Sequence, residues 1–168
     1  MWLWIVLAAI ISVGFVAFTG APYVPSKRAD VRRAFTELYR LGAHDVLLDI
    51  GSGDGIVLRE ASRLGVRAVG YEIHPLLVMI AKALSLGDPN VTVRFANFWR
   101  LPFPDDTTVV YTFGESRDIE RMYGRIQGEA SRLGRDIAFV SYAFQLPQVP
   151  PTATVGAHHL YTIKPLHT

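Results

Sequence analysis

The sequence predicts an α/β domain with a doubly wound, Rossmann-like and mostly parallel sheet, preceded by a transmembrane helix. Short apolar runs alternate with segments of helical periodicity after residue 45, a pattern typical of a parallel sheet covered on both faces. A glycine-rich turn joins the first apolar run to the helix that follows it. Residues 1–26 carry no charged side chain, and this uncharged stretch predicts the transmembrane helix.

The composition excludes several classes of protein. With 168 residues the chain is long enough for one domain with a sizeable core. Half of the residues are hydrophobic and 19% are charged, which excludes intrinsic disorder. The absence of cysteine excludes a disulfide framework, a thiolate metal site and a cysteine nucleophile. The net charge is only +2 and no basic run is interleaved with aromatic residues, so we expect no nucleic-acid partner.

The apolar run at residues 2–18 predicts a membrane anchor. It is interrupted only by Ser12 and Gly14, and as a helix it is about 25 Å long, the lower limit for spanning a bilayer. Trp2 and Tyr23 flank the run, where interfacial aromatic residues usually lie. The run is therefore expected to contact the bilayer directly.

The charged residues that follow this apolar run predict its orientation in the membrane. Lys27 and Arg28 are the first charged residues, and the positive-inside rule places them on the cytoplasmic side. We therefore assign residues 1–21 to a single-pass anchor and residues 22–168 to a domain on the cytoplasmic side of the membrane. A cleaved signal peptide and a buried core helix remain alternatives, although a signal peptide normally starts with basic residues that are missing here.

The periodicity of the remaining chain predicts the order of its elements. Ser26 can cap a first helix that ends near Gly42. Strands are predicted at residues 46–50, 67–72, 91–95, 109–113 and 137–142, helices at residues 56–64, 76–86 and 119–133, and a closing strand or hairpin around Val155 and residues 160–163. In a sheet of this kind the ligand lies beyond the carboxyl ends of the strands.

The strongest functional signal is the glycine-rich turn at residues 51–55. Gly51 and Gly53 let the backbone turn tightly and approach a ligand, and the amides of the following helix offer hydrogen-bond donors. Glu72 ends the second predicted strand, where a carboxylate can accept both hydroxyls of a ribose. The alternative is a tight strand-to-helix turn with a solvated glutamate. Ile56 stands where a dinucleotide fingerprint needs glycine or alanine, which disfavours a nicotinamide cofactor.

Asp49 before this turn and Glu72 after the next strand resemble the motif I region of class I S-adenosylmethionine-dependent methyltransferases. Further short blocks are similar to one family of this class, the membrane-anchored lysine methyltransferases of mitochondria and their prokaryotic relatives. That family modifies the ATP synthase c subunit and the adenine nucleotide translocase, and it also carries an N-terminal hydrophobic segment. The blocks are YVPS at residues 23–26, DIGSGDG at 49–55, GYEIHP at 70–75, NFW at 97–99, FG at 113–114 and FQLP at 144–147.

The resemblance implies S-adenosyl-L-methionine as the cofactor. It implies that Asp49 orients the amino-acid part of the cofactor and that Glu72 holds the ribose. The full predicted cofactor set is Asp49, Gly51, Ser52, Gly53, Gly55, Glu72, Asn97 and Phe98. Asn97 departs from the family, which usually has an acid there, but an amide can still bond adenine. For Asp49 a strand-end carboxylate bonded to turn amides is the alternative.

The end of the fourth predicted strand carries the candidate acceptor residues. Glu115 can accept a hydrogen bond from an incoming amine or act as its base, and Tyr23 completes the predicted catalytic pair. Trp99 and Phe113 are predicted to line a channel for a lysine side chain. The alternatives are a first-turn acid of the next helix for Glu115, a membrane-interface aromatic for Tyr23 and a core residue for Trp99.

Other charged or ligating side chains receive structural interpretations. His158 and His159 are adjacent on a predicted strand and point to opposite faces, so we expect no metal site. Arg125 and Arg132 are interpreted, with Glu129, as part of a solvated helix face.

We therefore expect a membrane-anchored methyltransferase that acts on a lysine side chain of a membrane protein. An anchor would raise the local concentration of such an acceptor. Two alternatives remain open: a methyltransferase of a small amphiphilic acceptor, such as a quinone precursor or a lipid headgroup, and a non-catalytic membrane-tethered nucleoside-binding module. Asn97 and the residues after Gly114 motivate the non-catalytic alternative, since both depart from the family pattern.

Overall fold

A computed structural model of the chain describes residues 26–113 and 118–166, together with Trp2. Seven strands form one sheet in the order β3-β2-β1-β4-β5-β7-β6. They are β1 (Val46–Ile50), β2 (Arg67–Glu72), β3 (Val91–Phe95), β4 (Val109–Phe113), β5 (Ile137–Tyr142), β6 (Ala153–Val155) and β7 (His158–Ile163). The first five strands are parallel, and β7 pairs antiparallel with both β5 and β6. The predicted doubly wound sheet is thus confirmed, and the closing element is a hairpin.

The helices cover the two faces of the sheet. The chain forms α1 (Arg28–Arg33), α2 (Ile56–Ser62), α3 (Pro75–Leu84) and α4 (Ile119–Leu133). The first three helices contribute to one core cluster, which also contains Leu47 of β1. Helix α4 contributes to the other cluster, which contains Leu48. All five residues of β1 are buried, because successive side chains of this strand enter the two opposite cores.

The first helix differs from its prediction. Helix α1 begins at Arg28 rather than beside Ser26, Lys27 occupies the N-cap position without a side-chain cap, and a π-helix (Ala34–Leu38) continues it. Ala34, Phe35 and Leu38 of this wider turn are buried, so the π-helix continues the core-facing side of α1. One of them, Phe35, packs edge-on against Tyr111 of β4 with ring centroids 5.9 Å apart.

A buried carboxylate joins α1 to α2. Glu60 is 2% exposed and accepts a hydrogen bond from the Arg32 guanidinium at 3.2 Å. Its other oxygen pairs with Arg63 and lies 3.9 Å from Arg28. The ion pairs thereby hold the amino-terminal helix over the sheet face that bears Asp49.

The predicted anchor at residues 1–21 lies outside the described residues, except for Trp2. Within residues 26–113 and 118–166, no helix is both long and apolar enough to cross a membrane.

Candidate active site

The glycine-rich turn adopts the conformation for which glycine is needed. Gly51, Gly53 and Gly55 have φ values of 83°, 53° and 79°, a backbone region that other residues seldom adopt. The amides of Gly51 and Ser52 both donate to the Tyr71 carbonyl oxygen of β2, at 2.8 and 3.2 Å. The turn therefore bends over the carboxyl end of the neighbouring strand before α2 begins.

Gly70 of β2 makes this bend possible, although it is not among the site residues predicted from the sequence. A Cβ atom at residue 70 would lie 2.5 Å from Ser52 Oγ and 2.6 Å from Leu58 Cδ1. The sequence did contain a signal for this close contact, because Gly70 lies inside a predicted strand and begins the GYEIHP block. In the structure Gly70 pairs with Asp49 across the sheet. A glycine inside a strand commonly marks such a close approach.

Glu72 is tied to the turn rather than solvated. The Gly53 amide donates to Glu72 Oε2 at 2.8 Å, and the His74 amide donates to Oε1 at 2.7 Å. The residue is 7% exposed. Two backbone donors fix the plane of the carboxylate, and each oxygen keeps a second lone pair for a ligand hydroxyl.

Asp49 is a buried acid of the site with a strongly raised pKa. It is 2% exposed at the end of β1. Burial raises the pKa of its carboxyl well above the ordinary range, and the nearby charges of Glu72 and Asp54 raise it further. Asp54 itself accepts a hydrogen bond from the Ile56 amide at 3.1 Å, so its charge is held at the start of α2. Asp54 also pairs with the Arg59 guanidinium at 3.3 Å, so Asp49 and Glu72 are the acids beside the glycine-rich turn whose charge a cationic ligand would favour.

The predicted adenine-side residues follow β3. Asn97 Oδ1 accepts a hydrogen bond from the Trp99 amide at 3.0 Å, which leaves the side-chain NH₂ group as a donor for a ligand. The rings of Phe98 and Trp99 are 4.5 Å apart, and both pack at the edge of the core beneath α4. The Arg121 guanidinium lies 4.1 Å from the centre of the Trp99 ring. One face of the predicted channel residue is therefore covered by a cation.

The predicted pairing of Arg125 and Arg132 with Glu129 is confirmed, and Arg132 is exposed, but the interpretation as a solvated face was wrong for Glu129, which is buried, and for Arg125, which is half-buried. Arg125 donates to the carbonyl oxygens of Phe98 and Leu101, at 3.3 and 2.9 Å. Arg132 donates to the Phe103 carbonyl oxygen at 2.8 Å. Glu129 lies between the two arginines, is 3% exposed and accepts from both. These contacts hold the connector at residues 97–105 against α4.

Aromatic side chains gather at the carboxyl ends of β4 and β5. Phe113, a predicted channel residue, packs on Tyr142 with ring centroids 4.8 Å apart. His158 lies 4.7 Å from the Tyr142 ring, and its Nε2 is 3.0 Å from the Tyr111 hydroxyl. Tyr142 and His158 were not predicted here, because their proximity depends on the register of β5 with β7. Burial lowers the pKa of His158 to about 4, so the ring is neutral at pH 7.

The two predicted catalytic residues, Glu115 and Tyr23, lie outside the described residues. The described chain resumes at Asp118, just before α4, and it begins at Ser26, whose hydroxyl contacts the hydroxyl of Tyr111. The two histidines predicted to stay apart do so, because His159 bonds the Thr154 hydroxyl at 3.1 Å while His158 bonds Tyr111.

The sheet order, the glycine-rich turn and the paired acids define a domain of the class I methyltransferase type. A family model of the ANTKMT methyltransferase domain matches residues 49–153. The chain therefore belongs to the ANTKMT methyltransferase domain family.

Curated relatives agree with this assignment. The chain is 34% identical over 122 residues to the lysine N-methyltransferase of the ATP synthase c subunit from Xenopus laevis, an alignment that covers 70% of this chain and 52% of the relative. It is 29% identical over 139 residues to the enzyme of the same name from Rattus norvegicus, with 80% and 61% covered. The chain thus spans between about half and three-fifths of the length of these relatives.

A solved structure has a similar architecture over most of the chain. It is an RNA methyltransferase from Salinibacter ruber in complex with S-adenosyl-L-homocysteine, with a TM-score of 0.76 and 26% sequence identity. The superposition covers 86% of this chain and 97% of that protein. The described domain therefore has nearly the same extent as that methyltransferase chain.

Proposed function

We propose that this protein is an S-adenosylmethionine-dependent methyltransferase whose acceptor is a lysine side chain of a membrane protein. We further propose that residues 2–18 anchor the domain in the membrane, on its cytoplasmic side. Family membership and the names of the curated relatives support the reaction and the acceptor class. The uncharged apolar segment supports the anchor.

The hydrogen bond between the Gly53 amide and Glu72 carries the cofactor proposal. At 2.8 Å it brings the backbone of the turn and a ribose-accepting carboxylate into one cradle. The two acids of this cradle, Asp49 and Glu72, suit a ligand with a positive sulfonium and a positive ammonium group, since a cation favours their charged forms. They are unfavourable for the anionic pyrophosphate of a dinucleotide, so the residues present fit S-adenosylmethionine better than NAD.

The roles that we propose for individual residues follow from the position of this cradle. Glu72 would hold the ribose hydroxyls, Asp49 would complement the cationic amino-acid part, and Asn97 with Phe98 would contact adenine. S-Adenosylmethionine, when bound, supplies an electrophilic methyl group on sulfur. The protein must therefore orient an unprotonated amine in line with that methyl group and exclude water.

The acceptor half of the site is proposed at the ends of β4 and β5. Phe113 and Tyr142 offer an aromatic wall that suits the aliphatic stem and cationic head of lysine. Glu115, two residues beyond Phe113, is the candidate that takes a proton from the ammonium and leaves its lone pair free to attack. The unprotonated amine would displace the methyl group from sulfur, the N–C bond forming as the C–S bond breaks, so that sulfur leaves as a neutral thioether and the product is a methylammonium.

Methyl transfer to a defined membrane protein tests this proposal. The full chain, reconstituted in vesicles with tritiated S-adenosylmethionine, is expected to label purified ATP synthase c subunit but not a c subunit whose lysines are changed to arginine. Glu115→Gln should lose turnover and retain S-adenosylmethionine affinity, whereas Glu120→Gln, on the exposed side of α4, should keep both. Equal labelling of the two substrates, or full turnover in Glu115→Gln, would contradict the proposed acceptor or base.

A specific observation favours RNA as a second candidate acceptor. The neighbour from Salinibacter ruber is named as an RNA methyltransferase, and this chain covers 97% of it. Arg121 stacks on Trp99 beside the site, and a stacked arginine suits a phosphate or a nucleic-acid base better than a lysine ammonium. Tritium incorporated into total RNA rather than into membrane protein, with Arg121→Ala impaired, would favour this candidate.

A further inference from the structure

Helix α3 exposes an apolar face that no other described element covers. Its outward positions follow helical spacing and continue into the residues on either side of the helix. Met79 is 67% exposed, Leu84 56% and Leu86 89%. The full face consists of Ile73, Leu76, Met79, Ile80, Leu84 and Leu86, and we call it the α3 face. A contiguous surface of this kind on a small domain marks a contact with a partner or a membrane.

The inner side of helix α3 is apolar as well as its outer side. Val78 and Ala81 point into the core and are buried. A surface helix of a soluble domain normally pairs such an inner stripe with charged residues outside. Helix α3 has one charged residue, Lys82, among ten. The helix is therefore apolar on both sides, which requires a second apolar environment for its outer side.

The segment that forms the α3 face has one basic residue and no acidic residue. No aspartate or glutamate occurs at residues 73–87. Lys82 is exposed beside the face, and Phe95 is 63% exposed at the end of edge strand β3, whose Val93 packs in the same core cluster as α3. An apolar surface with a basic residue and no acidic residue in it complements a bilayer that contains anionic lipid.

The position of the α3 face in the fold is compatible with contact between this face and a membrane. Helix α3 begins at Pro75, three residues after Glu72, so its amino end lies at the carboxyl edge of the sheet, beside the cofactor cradle. Ser26 contacts Tyr111 near the same edge, and α1 and α3 pack on the same side of the sheet. The uncharged apolar residues 2–18 precede Ser26 by only a short stretch. Both apolar elements can therefore reach one membrane surface.

We propose that the α3 face lies in the interfacial layer of an anionic bilayer and orients the domain with its cofactor cradle toward the membrane. This inference rests on the proposed membrane location of the protein. The apolar side chains would enter the acyl boundary, while Lys82 would contact lipid phosphates. A single anchor leaves a domain free to rotate, and a second lipid contact restricts that rotation. The site would then be held close to acceptors that are embedded in the bilayer.

Fluorescence at single cysteines tests this contact, because the native chain has no cysteine. Met79→Cys and Leu84→Cys, each labelled with the dye NBD, are combined in full-length protein with vesicles of phosphatidylcholine and phosphatidylglycerol. The matched control is Gly128→Cys, at an exposed position of α4 where an added Cβ would meet nothing within 4 Å. We expect a blue shift at positions 79 and 84, with quenching by doxyl-labelled lipids several-fold stronger than at position 128.

Each outcome of this experiment decides the proposal. Labels at 79 and 84 that stay in water while the protein is bound to vesicles would overturn the α3 contact and leave the anchor intact. A chain that does not bind vesicles, or labels that are buried equally without vesicles by a second copy or by another segment, would also overturn it. S-Adenosylmethionine affinity of the labelled variants reports their folding, and no methyl acceptor is present, so failure of the proposed reaction is detected separately.

Discussion

Gly70 is a residue at which one added methyl group would clash with the side chains that shape the site. Its Cβ would lie under 3 Å from both Ser52 and Leu58, and these side chains belong to the glycine-rich turn and to α2. We expect Gly70→Ala to lower the free energy of unfolding by about 2–3 kcal/mol through overpacking, and to weaken S-adenosylmethionine binding. Urea denaturation and calorimetry measure the two effects.

Gly128 provides the control for this substitution. It lies in the interior of α4, is exposed, and offers open space to a Cβ atom. Gly128→Ala is expected to raise the free energy of unfolding by about 0.5–1 kcal/mol, because alanine is the better helix former. Equal stability changes at the two positions would contradict the close packing of β2 under the turn.

The raised pKa of Asp49 predicts that cofactor binding depends on pH. Its pKa is raised in the free protein by burial and by the charges of Glu72 and Asp54. A cationic ligand favours the charged carboxylate, so binding should release a proton and affinity should rise with pH through the raised pKa. Calorimetry in buffers of different ionisation enthalpy measures this release. Asp49→Asn should abolish it, and an unchanged proton release in that variant would assign the proton to another group.

At the scale of elements, the connector at residues 97–105 depends on α4 for its position. Glu129 is buried and pairs with Arg125 and Arg132, which donate to connector carbonyl groups. We expect Glu129→Ala to lower the free energy of unfolding by about 2–3 kcal/mol and to weaken S-adenosylmethionine binding, because the connector carries Asn97 and Phe98. Thermal or urea denaturation and calorimetry measure both.

Glu120 supplies the comparison for that prediction. It is an exposed acid in the first turn of the same helix. Glu120→Ala should change stability by less than about 0.5 kcal/mol and leave binding unchanged. If Glu129→Ala behaved in the same way, the α4 network would have no role in holding the connector.

The contact between β4 and β7 predicts a stability change with pH. The pKa of His158 in the folded protein is about 4, against an ordinary value of 6.5. Between these values the unfolded chain binds a proton that the folded protein does not, so stability falls as pH drops from about 6.5 toward 4. His158→Gln should reduce this fall by about 1 kcal/mol between pH 7 and 5.5, as measured by urea denaturation. A variant with the wild-type slope would contradict the burial of a neutral His158 against Tyr111.

At the scale of the whole molecule, the parallel sheet followed from the sequence because its signals are local. Apolar runs that are buried on both faces, such as β1, differ clearly from amphipathic helices such as α4. The glycine-rich turn and Glu72 were also predictable, since a turn with positive φ values and the end of the next strand must meet in this topology.

The features that escaped prediction depend on contacts between distant residues. Arg125 looked like a solvated side chain because the carbonyl groups that it binds lie 24 and 27 residues away in the sequence. His158 and Tyr142 meet only through the antiparallel register of β5 with β7. The π-helix after α1 escaped prediction because apolar residues at helical spacing do not distinguish a π-helix from an α-helix.

The central claim is that the cradle of Asp49, the glycine-rich turn and Glu72 binds S-adenosylmethionine, and calorimetric titration tests it most directly. The full chain should bind S-adenosylmethionine and S-adenosylhomocysteine and should not bind NAD. Glu72→Gln should weaken both interactions about ten- to hundredfold through loss of charged hydrogen bonds, while Glu120→Gln should bind like the wild type. Absence of binding by the folded wild-type chain, or undiminished binding by Glu72→Gln, would contradict the account.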